Sequence, residues 1–458
     1  MQQSEGLYSL GEKMNLSKCL ATIEEDKKVI APCQHLSYFP LVVDHCQGSI
    51  ITDLDGNEFI DFLSSASGLN LGSCNPAITE AIHKQSDRFA LYTGAYSYNE
   101  PMIRYAKQLA SVYPGGIDVK VVFGNSGSDC NDAAVKFARA YTGRTKIITF
   151  LNGYHGSTFG SGAMSSCTIR MKSRMGPFPP EFYYFPFFGS DVEDAYCEEH
   201  CMDAMREAFA TWLPANEVAA VVIEPMQGDG GLLPAHPIFM KQLYELCQDN
   251  GILFISEEVQ QGLWRTGKWF SIEHYGIIPD GIVMGKSVGA SLALGVFMGR
   301  KEIMDSLPAP AHVFTLSGNP LACAAGRAAF EEFQSETFQK QLFSNTELLE
   351  REAAILKNKH PDLICFVRNM GMSMGIGVRC GKWHESHTDA SATFKILFRC
   401  YELGLIIISV GGNVLRVQPP LNIEPELIRK GFSILDCAMR DFESGIIPDS
   451  VYRYQAGW

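Results

Sequence analysis

The chain has 458 residues, 46% of them hydrophobic, with 42 glycines and 22 prolines, which is the composition of a large globular protein and excludes a disordered or fibrous one. A formal charge of −13 argues against nucleic acid or an anionic membrane as the main partner, and leaves room for a local pocket that takes a small anion. The 14 cysteines show no CxxC spacing, the start MQQSEGLYSLGEKMNLS lacks an apolar leader core, and no run is long enough to span a membrane; reduced thiols, a cytoplasmic location and no bound metal are therefore expected.

In chain order, 42–48 and 50–63 alternate apolar and polar residues around DG and GN turn signals and predict hairpin strands. PAITEAIHKQSDRFALY (76–92) and PMIRYAKQLASVY (101–113) have helical spacing behind a proline. From residue 119 short apolar runs follow one another: VKVVF (119–123), KIITF (146–150), VAAVVIEP (218–225), GILFI (251–255), GIVMG (281–285) and LALGVFMG (292–299). Helix-length segments such as 132–141 and 237–250 separate several of them, so the spacing predicts an α/β domain with a mostly parallel sheet over 71–335. A long helical stretch runs from Pro320 through Leu349. The remainder, 336–458, reads as a smaller α+β domain, with strands near 364–378 and 404–410 and a closing helix over 426–442. No internal repeat is visible.

Four segments carry chemistry. FGNSGSDCNDAAVKFARA (123–140) is a strand, a small polar turn and a helix, so Ser126, Gly127 and Ser128 would present N–H groups and hydroxyls to a phosphate; an ordinary helix cap would use the same residues. GYHGST (153–158) places Tyr154 and His155 at a strand end, as a platform for a flat ring or as a packed turn. In PDGIVMGKS, Lys286 follows a buried run, where desolvation would lower its pKa and make the amine a nucleophile. FISEEVQQG brings Glu257 and Glu258 to the end of another buried strand, where carboxylates do not sit without partners. A phosphate cradle, a ring platform, an amine and an acid are the parts that pyridoxal 5'-phosphate requires, with Glu257 the candidate for its ring nitrogen.

With IEPMQGDGG, EEVQQGLWRTGK, FTLSGNPLACAAG and LRVQPPL added to these motifs, the chain resembles the class III, fold-type I pyridoxal-phosphate enzymes from about Tyr38 to Trp458. Within that family, SASGLNLG, GNSGSDCNDAAVKFARAYTGR, YHGST and the closing GW are similar to the isoleucine 2-epimerase and broad-substrate racemase branch. The resemblance implies that 1–70 joins the small domain and the active-site rim, and that 71–335 binds the cofactor. It makes Lys286 the Schiff-base lysine, Ser126, Gly127 and Ser128 the phosphate loop, and Tyr154 the stacking residue beside His155. Val259 is placed against the other ring face and Gln260 near the phenolic oxygen. Thr315 matches a threonine that reaches the phosphate of a neighbouring subunit's cofactor, which implies a homodimer with shared sites, or a tetramer built from it. Arg416 matches the arginine for a substrate α-carboxylate, and Asp229 an acid that partners the lysine in proton exchange. Two positions depart from the family pattern: Glu257 stands where aspartate is usual, and Trp264 where a small residue is usual, next to the expected cofactor entrance.

The expected reaction is racemisation or 2-epimerisation of a free amino acid by removal and return of the Cα proton, with Lys286 on one face and Asp229 on the other. The alternative is an aminotransferase acting on an α- or ω-amino acid with a keto acid. SSASGLN (64–70), with Tyr92, Tyr96 and Tyr98, fits an aliphatic side chain better than a second carboxylate, although core or dimer packing would account for the same residues.

Overall fold

Apolar runs of four to six residues are too short to make stable buried helices, and here they become strands. The computed structural model describes residues 14–379 and 386–454; the closing GW and the first part of the 1–70 segment lie outside those residues. The chain forms two units, Pro76–Ser335 and Met1–Asn75 with Glu336–Trp458.

Pro76–Ser335 is built on seven strands: β1 (Val119–Gly124), β2 (Lys146–Phe150), β3 (Phe182–Phe185), β4 (Val218–Ile223), β5 (Leu253–Glu257), β6 (Gly281–Met284) and β7 (Gly295–Arg300). Their order across the sheet is β1-β7-β6-β5-β4-β2-β3. Parallel pairing joins β6, β5, β4, β2 and β3, and only β7 runs against its neighbours β6 and β1. The carboxyl ends of β1, β2, β5 and β6 and the start of β7 therefore share one edge, where ligands of α/β sheets gather. The helix Gly127–Thr142 buries Cys130, Ala133, Ala134, Phe137 and Ala138, a helical stripe that packs on Ile147, Ala220, Ile255, Val283 and Phe297 of the sheet. That packing fixes where the helix begins, and hence what it presents to the edge.

The other unit interleaves the two ends of the chain. Strands Val43–Gln47, Ile50–Asp53 and Glu58–Asp61 form an antiparallel meander, extended in parallel by Leu405–Ile406 through the pair Ile60 and Leu405. The ring of Tyr401 stacks on Phe39 at 4.8 Å and on Phe59 at 5.1 Å. A second, antiparallel sheet holds Ile364–Met370, Ser373–Val378, Val414–Val417 and Ile408–Val410. Ser64 to Ser67 form a left-handed turn, with φ between 44° and 66°. Each such residue costs about 1–2 kcal/mol, offset here by Asp61 Oδ1, which accepts the N–H groups of Leu63 and Ser64 at 2.8 and 2.7 Å.

One reading of the sequence needs correction. The helical stretch from Pro320 does not run unbroken to Leu349: it ends at Gln334, Ser335 is extended (ψ 136°), and a separate helix spans Glu336–Lys359. The strands expected near 364–378 are Ile364–Met370 and Ser373–Val378, paired as a hairpin. Among the described residues no helix is long and apolar enough to cross a membrane.

Candidate active site

A cavity of about 290 Å³ opens at the shared sheet edge, lined by loops that follow β1, β2, β5 and β6 and by the approach to β7. Ser126 caps the helix Gly127–Thr142: its hydroxyl accepts the Asp129 N–H, and Asp129 in return accepts the N–H groups of Ser126 (2.9 Å) and Asn125 (2.8 Å). The N–H groups of Gly127 and Ser128, in the first turn, have no carbonyl one turn back to bond and face an anion favourably. Close approach explains the glycines. A Cβ on Gly127 would lie 2.7 Å from Val259, and one on Gly295 would lie 2.0 Å from the Ser126 carbonyl oxygen.

Lys286 stands at the end of β6 in a left-handed backbone conformation, φ 49°, which turns its side chain off the strand and into the cavity. Tyr154 lines the same space. Its phenol is 3.4 Å from the Ser157 hydroxyl, and burial raises its pKa, with Asp229, Cys167 and Glu257 pushing the same way. His155 is fully enclosed: its Nε2 meets the Thr149 hydroxyl at 2.9 Å, and burial lowers its pKa to about 4, so the ring is neutral at physiological pH.

Successive strand residues point to opposite faces, and this separates the two glutamates. Glu257 lines the cavity, 3% exposed. Burial raises its pKa well above the usual carboxylate range, with Glu224 and Glu258 adding to the rise, while the Lys286 ammonium and the Asn131 carboxamide oppose it. Glu258 faces away, accepting hydrogen bonds from the N–H groups of Ser271 and Ile272, each at 2.9 Å, and from the hydroxyls of Ser271 (2.6 Å) and Ser256 (3.0 Å). Burial nevertheless raises it to about 7. The carboxylates of EE thus meet different partners.

Ser126, Gly127, Ser128, Tyr154, His155, Glu257, Val259 and Lys286 line one cavity. Gln260 and Asp229 lie outside its lining. Gln260 packs on Gly228, and the Asp229 carboxylate is near enough to Tyr154, Cys167 and Glu224 to raise all three. Thr315 is exposed in a turn, and Arg416 is buried in Val414–Val417 of the other unit. Trp264 is also absent from the lining, because its ring packs on Trp269 at 5.6 Å. Tyr92, Tyr96 and Tyr98 are exposed. Two residues pass unnoticed in the sequence. Asn131, fully buried, donates from Nδ2 to the His155 carbonyl at 2.7 Å beside Glu257. Glu224 ends the buried run VAAVVI as Glu257 ends LFIS, a signal that was available.

The family model for aminotransferase class-III matches residues 32–439. The chain belongs to that family. It is 37% identical to isoleucine 2-epimerase of Lentilactobacillus buchneri, with 97% of this chain and 99% of that protein aligned. It is 35% identical to leucine/methionine racemase of Thermococcus litoralis, over 95% and 99% of the two chains. Among solved structures, a transaminase from the marine bacterium Virgibacillus superposes with a TM-score of 0.84 at 25% identity, covering 93% of this chain and all of that one. A class-III site must take a phosphorylated pyridine aldehyde, and the residues present fit it: a helix N-terminus flanked by two serine hydroxyls, an amine, a buried carboxylate and an aromatic face around one cavity. His155 Nδ1 is buried and has no hydrogen-bond partner among the described residues, and the histidine lines the same cavity.

Proposed function

We propose that the chain is a pyridoxal 5'-phosphate-dependent racemase or 2-epimerase of free, aliphatic amino acids. The observation that carries this reading is the meeting of Lys286 and Glu257 in one cavity at a helix N-terminus, in a chain similar over nearly its whole length to an epimerase and a racemase. Ser126, Gly127 and Ser128 would hold the phosphate, Tyr154, His155 and Val259 the ring, Glu257 its nitrogen, Gln260 its phenolic oxygen and Lys286 its aldehyde carbon. Bound there, the cofactor would supply an electron-accepting ring that acidifies the Cα–H of an attached amino acid.

Inversion needs a proton-transfer group on each side of Cα. Lys286 removes or returns the proton on one face, its side chain lining the same cavity as Glu257. Asp229, directly or through a water, serves the other. Arg416 takes the substrate carboxylate. The exposed Tyr92, Tyr96, Tyr98, Val313 and Leu316 support a second copy of the chain as partner, with Thr315 reaching that copy's phosphate site. A cytoplasmic setting suits the scattered free thiols.

The test is incubation of purified protein and cofactor with single L-amino acids, without keto acid, followed by chiral chromatography. Accumulation of the D- or allo-isomer supports the proposal. Consumption of the amino acid only when a keto acid is added places the protein with the aminotransferases. Lys286→Ala should abolish either reaction, and borohydride reduction should fix the cofactor on the peptide containing Lys286.

A further inference from the structure

Glu224 lies at the end of β4, 5% exposed, outside the cavity lining. Its two oxygens serve two different loops. Oε1 accepts the Tyr154 N–H at 2.9 Å, and Oε2 accepts the Gly228 N–H at 3.0 Å. Gly228 opens the tight turn that carries Asp229, its carbonyl accepting the N–H groups of Gly231 (3.2 Å) and Leu232 (3.1 Å). A parallel tie runs from Gln227 Nε2 to the Leu151 carbonyl at 2.7 Å. There is no slack between the loops: a Cβ on Gly230 would sit 2.5 Å from Gln227 Oε1 and 3.2 Å from the Asn152 carbonyl oxygen.

We propose that Glu224 is a positioning residue, a two-loop clamp that holds Asp229 against the Tyr154 platform and so sets the face of the substrate on which Asp229 works. The inference rests on the two-base reading above. A carboxylate suits this task because each oxygen accepts an N–H, whereas an amide offers one acceptor and turns a donor toward the second N–H. The groups facing Glu224 are Asp229 on the turn, Lys286 after β6, Glu257 at the end of β5 and Cys167. Burial raises Glu224 to about 7, against the pull of the two N–H donors and Lys286, so the clamp is held at the margin of ionisation.

The experiment compares cofactor-loaded wild type, Glu224→Gln and Asp229→Asn. It measures amide hydrogen exchange over 151–158 and 226–232, kcat and KM for inversion, and deuterium wash-in at Cα from each enantiomer. In Glu224→Gln the peptide whose N–H meets the amide donor should exchange about 10-fold faster or more, the loss of one charge-assisted hydrogen bond. Its kcat should fall about 10- to 100-fold with KM little changed, and wash-in from one enantiomer should fall far more than from the other. Asp229→Asn should show the same enantiomer asymmetry with the amide protection of Tyr154 intact. Should Glu224→Gln not fold, Glu224→Asp, one methylene shorter, reaches only one N–H and should loosen one peptide. Unchanged protection, or an equal loss from both enantiomers in the Glu224 variant while Asp229→Asn is asymmetric, overturns the clamp. Symmetric wash-in in Asp229→Asn overturns the two-base reading instead, and the amide exchange then judges the clamp alone.

Discussion

His155→Asn should remove a pH-dependent weakness of the cofactor-free protein. Burial lowers the His155 pKa from 6.5 to about 4, so the folded chain keeps the ring neutral while the unfolded chain protonates it below pH 6.5. Above that value neither state binds the proton and the residue adds no penalty. As pH falls from 6.5 toward 4, the unfolded state gains a proton that the folded state refuses, and stability is lost. At about 1.4 kcal/mol per unit, the loss reaches about 2–3 kcal/mol near pH 4.5. Glu224 and Glu258, both raised to about 7, work the opposite way: their contribution is largest at low pH and is lost as pH rises through about 7. They are common to both proteins and cancel in the comparison. The assay is urea denaturation at several pH values, followed by tryptophan fluorescence, since Trp212, Trp264 and Trp269 all lie in Pro76–Ser335. At pH 7.5 the variant should be less stable by about 1 kcal/mol, a pH-independent cost for the lost Thr149 hydrogen bond. On acidification the wild type should then close that gap and pass below the variant. A difference that stays flat from pH 7.5 to pH 4.5 within about 0.5 kcal/mol would refute the burial argument.

Gly295→Ala would drive a Cβ onto the Ser126 carbonyl oxygen; it should destabilise by about 1–3 kcal/mol and weaken cofactor binding in an absorbance titration, and unaltered binding would count against the tight packing of β7 on the phosphate loop. Ser126→Ala removes the cap of Gly127–Thr142 and should lower stability by about 1 kcal/mol in a denaturant titration, with a further loss of cofactor affinity if its hydroxyl faces the phosphate. In the other unit, Gly431→Ala would place a methyl 2.2 Å from the buried Phe62 ring, lowering the melting temperature through about 1–3 kcal/mol of strain; adding Phe62→Leu should restore part of it.

The parallel sheet is legible in the sequence because KIITF, VAAVVI, LFISE and GIVM are continuous runs buried almost throughout, as strands covered on both sides must be. FYYF (182–185) is not read as a strand: it is the sheet's edge, half-exposed, and its aromatic run has neither the alternation nor the aliphatic character that marks the others. The break at Ser335 is invisible too, since helix-forming residues continue on both sides and only one backbone rotation interrupts them. At the site, the split of Glu257 from Glu258 follows from strand alternation alone. Glu224 required the same rule, applied at VAAVVI. Asn131 offers no such signal, because an asparagine one turn into a helix looks like surface until the helix is seen pressed against the loops after β2 and β5. The roles of Gln260, Thr315, Arg416 and Asp229 rest on family resemblance, not on anything their neighbours in sequence dictate.

The pairing of Ile60 with Leu405 imposes an order of events on synthesis. The meander of residues 43–61 emerges first, but the strand that completes its sheet is made only after the whole of Pro76–Ser335 has left the ribosome. During that interval the contiguous unit can assemble, while the edge of Glu58–Asp61 stays open and the rings of Phe39 and Phe59 lack Tyr401. A nascent chain stalled near residue 335 would therefore carry a finished sheet in one unit and a sticky, open edge in the other. Chaperone binding to such stalled chains should concentrate on the first 75 residues and end once Leu405–Ile406, just past the helix Ser386–Glu402 that carries Tyr401, is released.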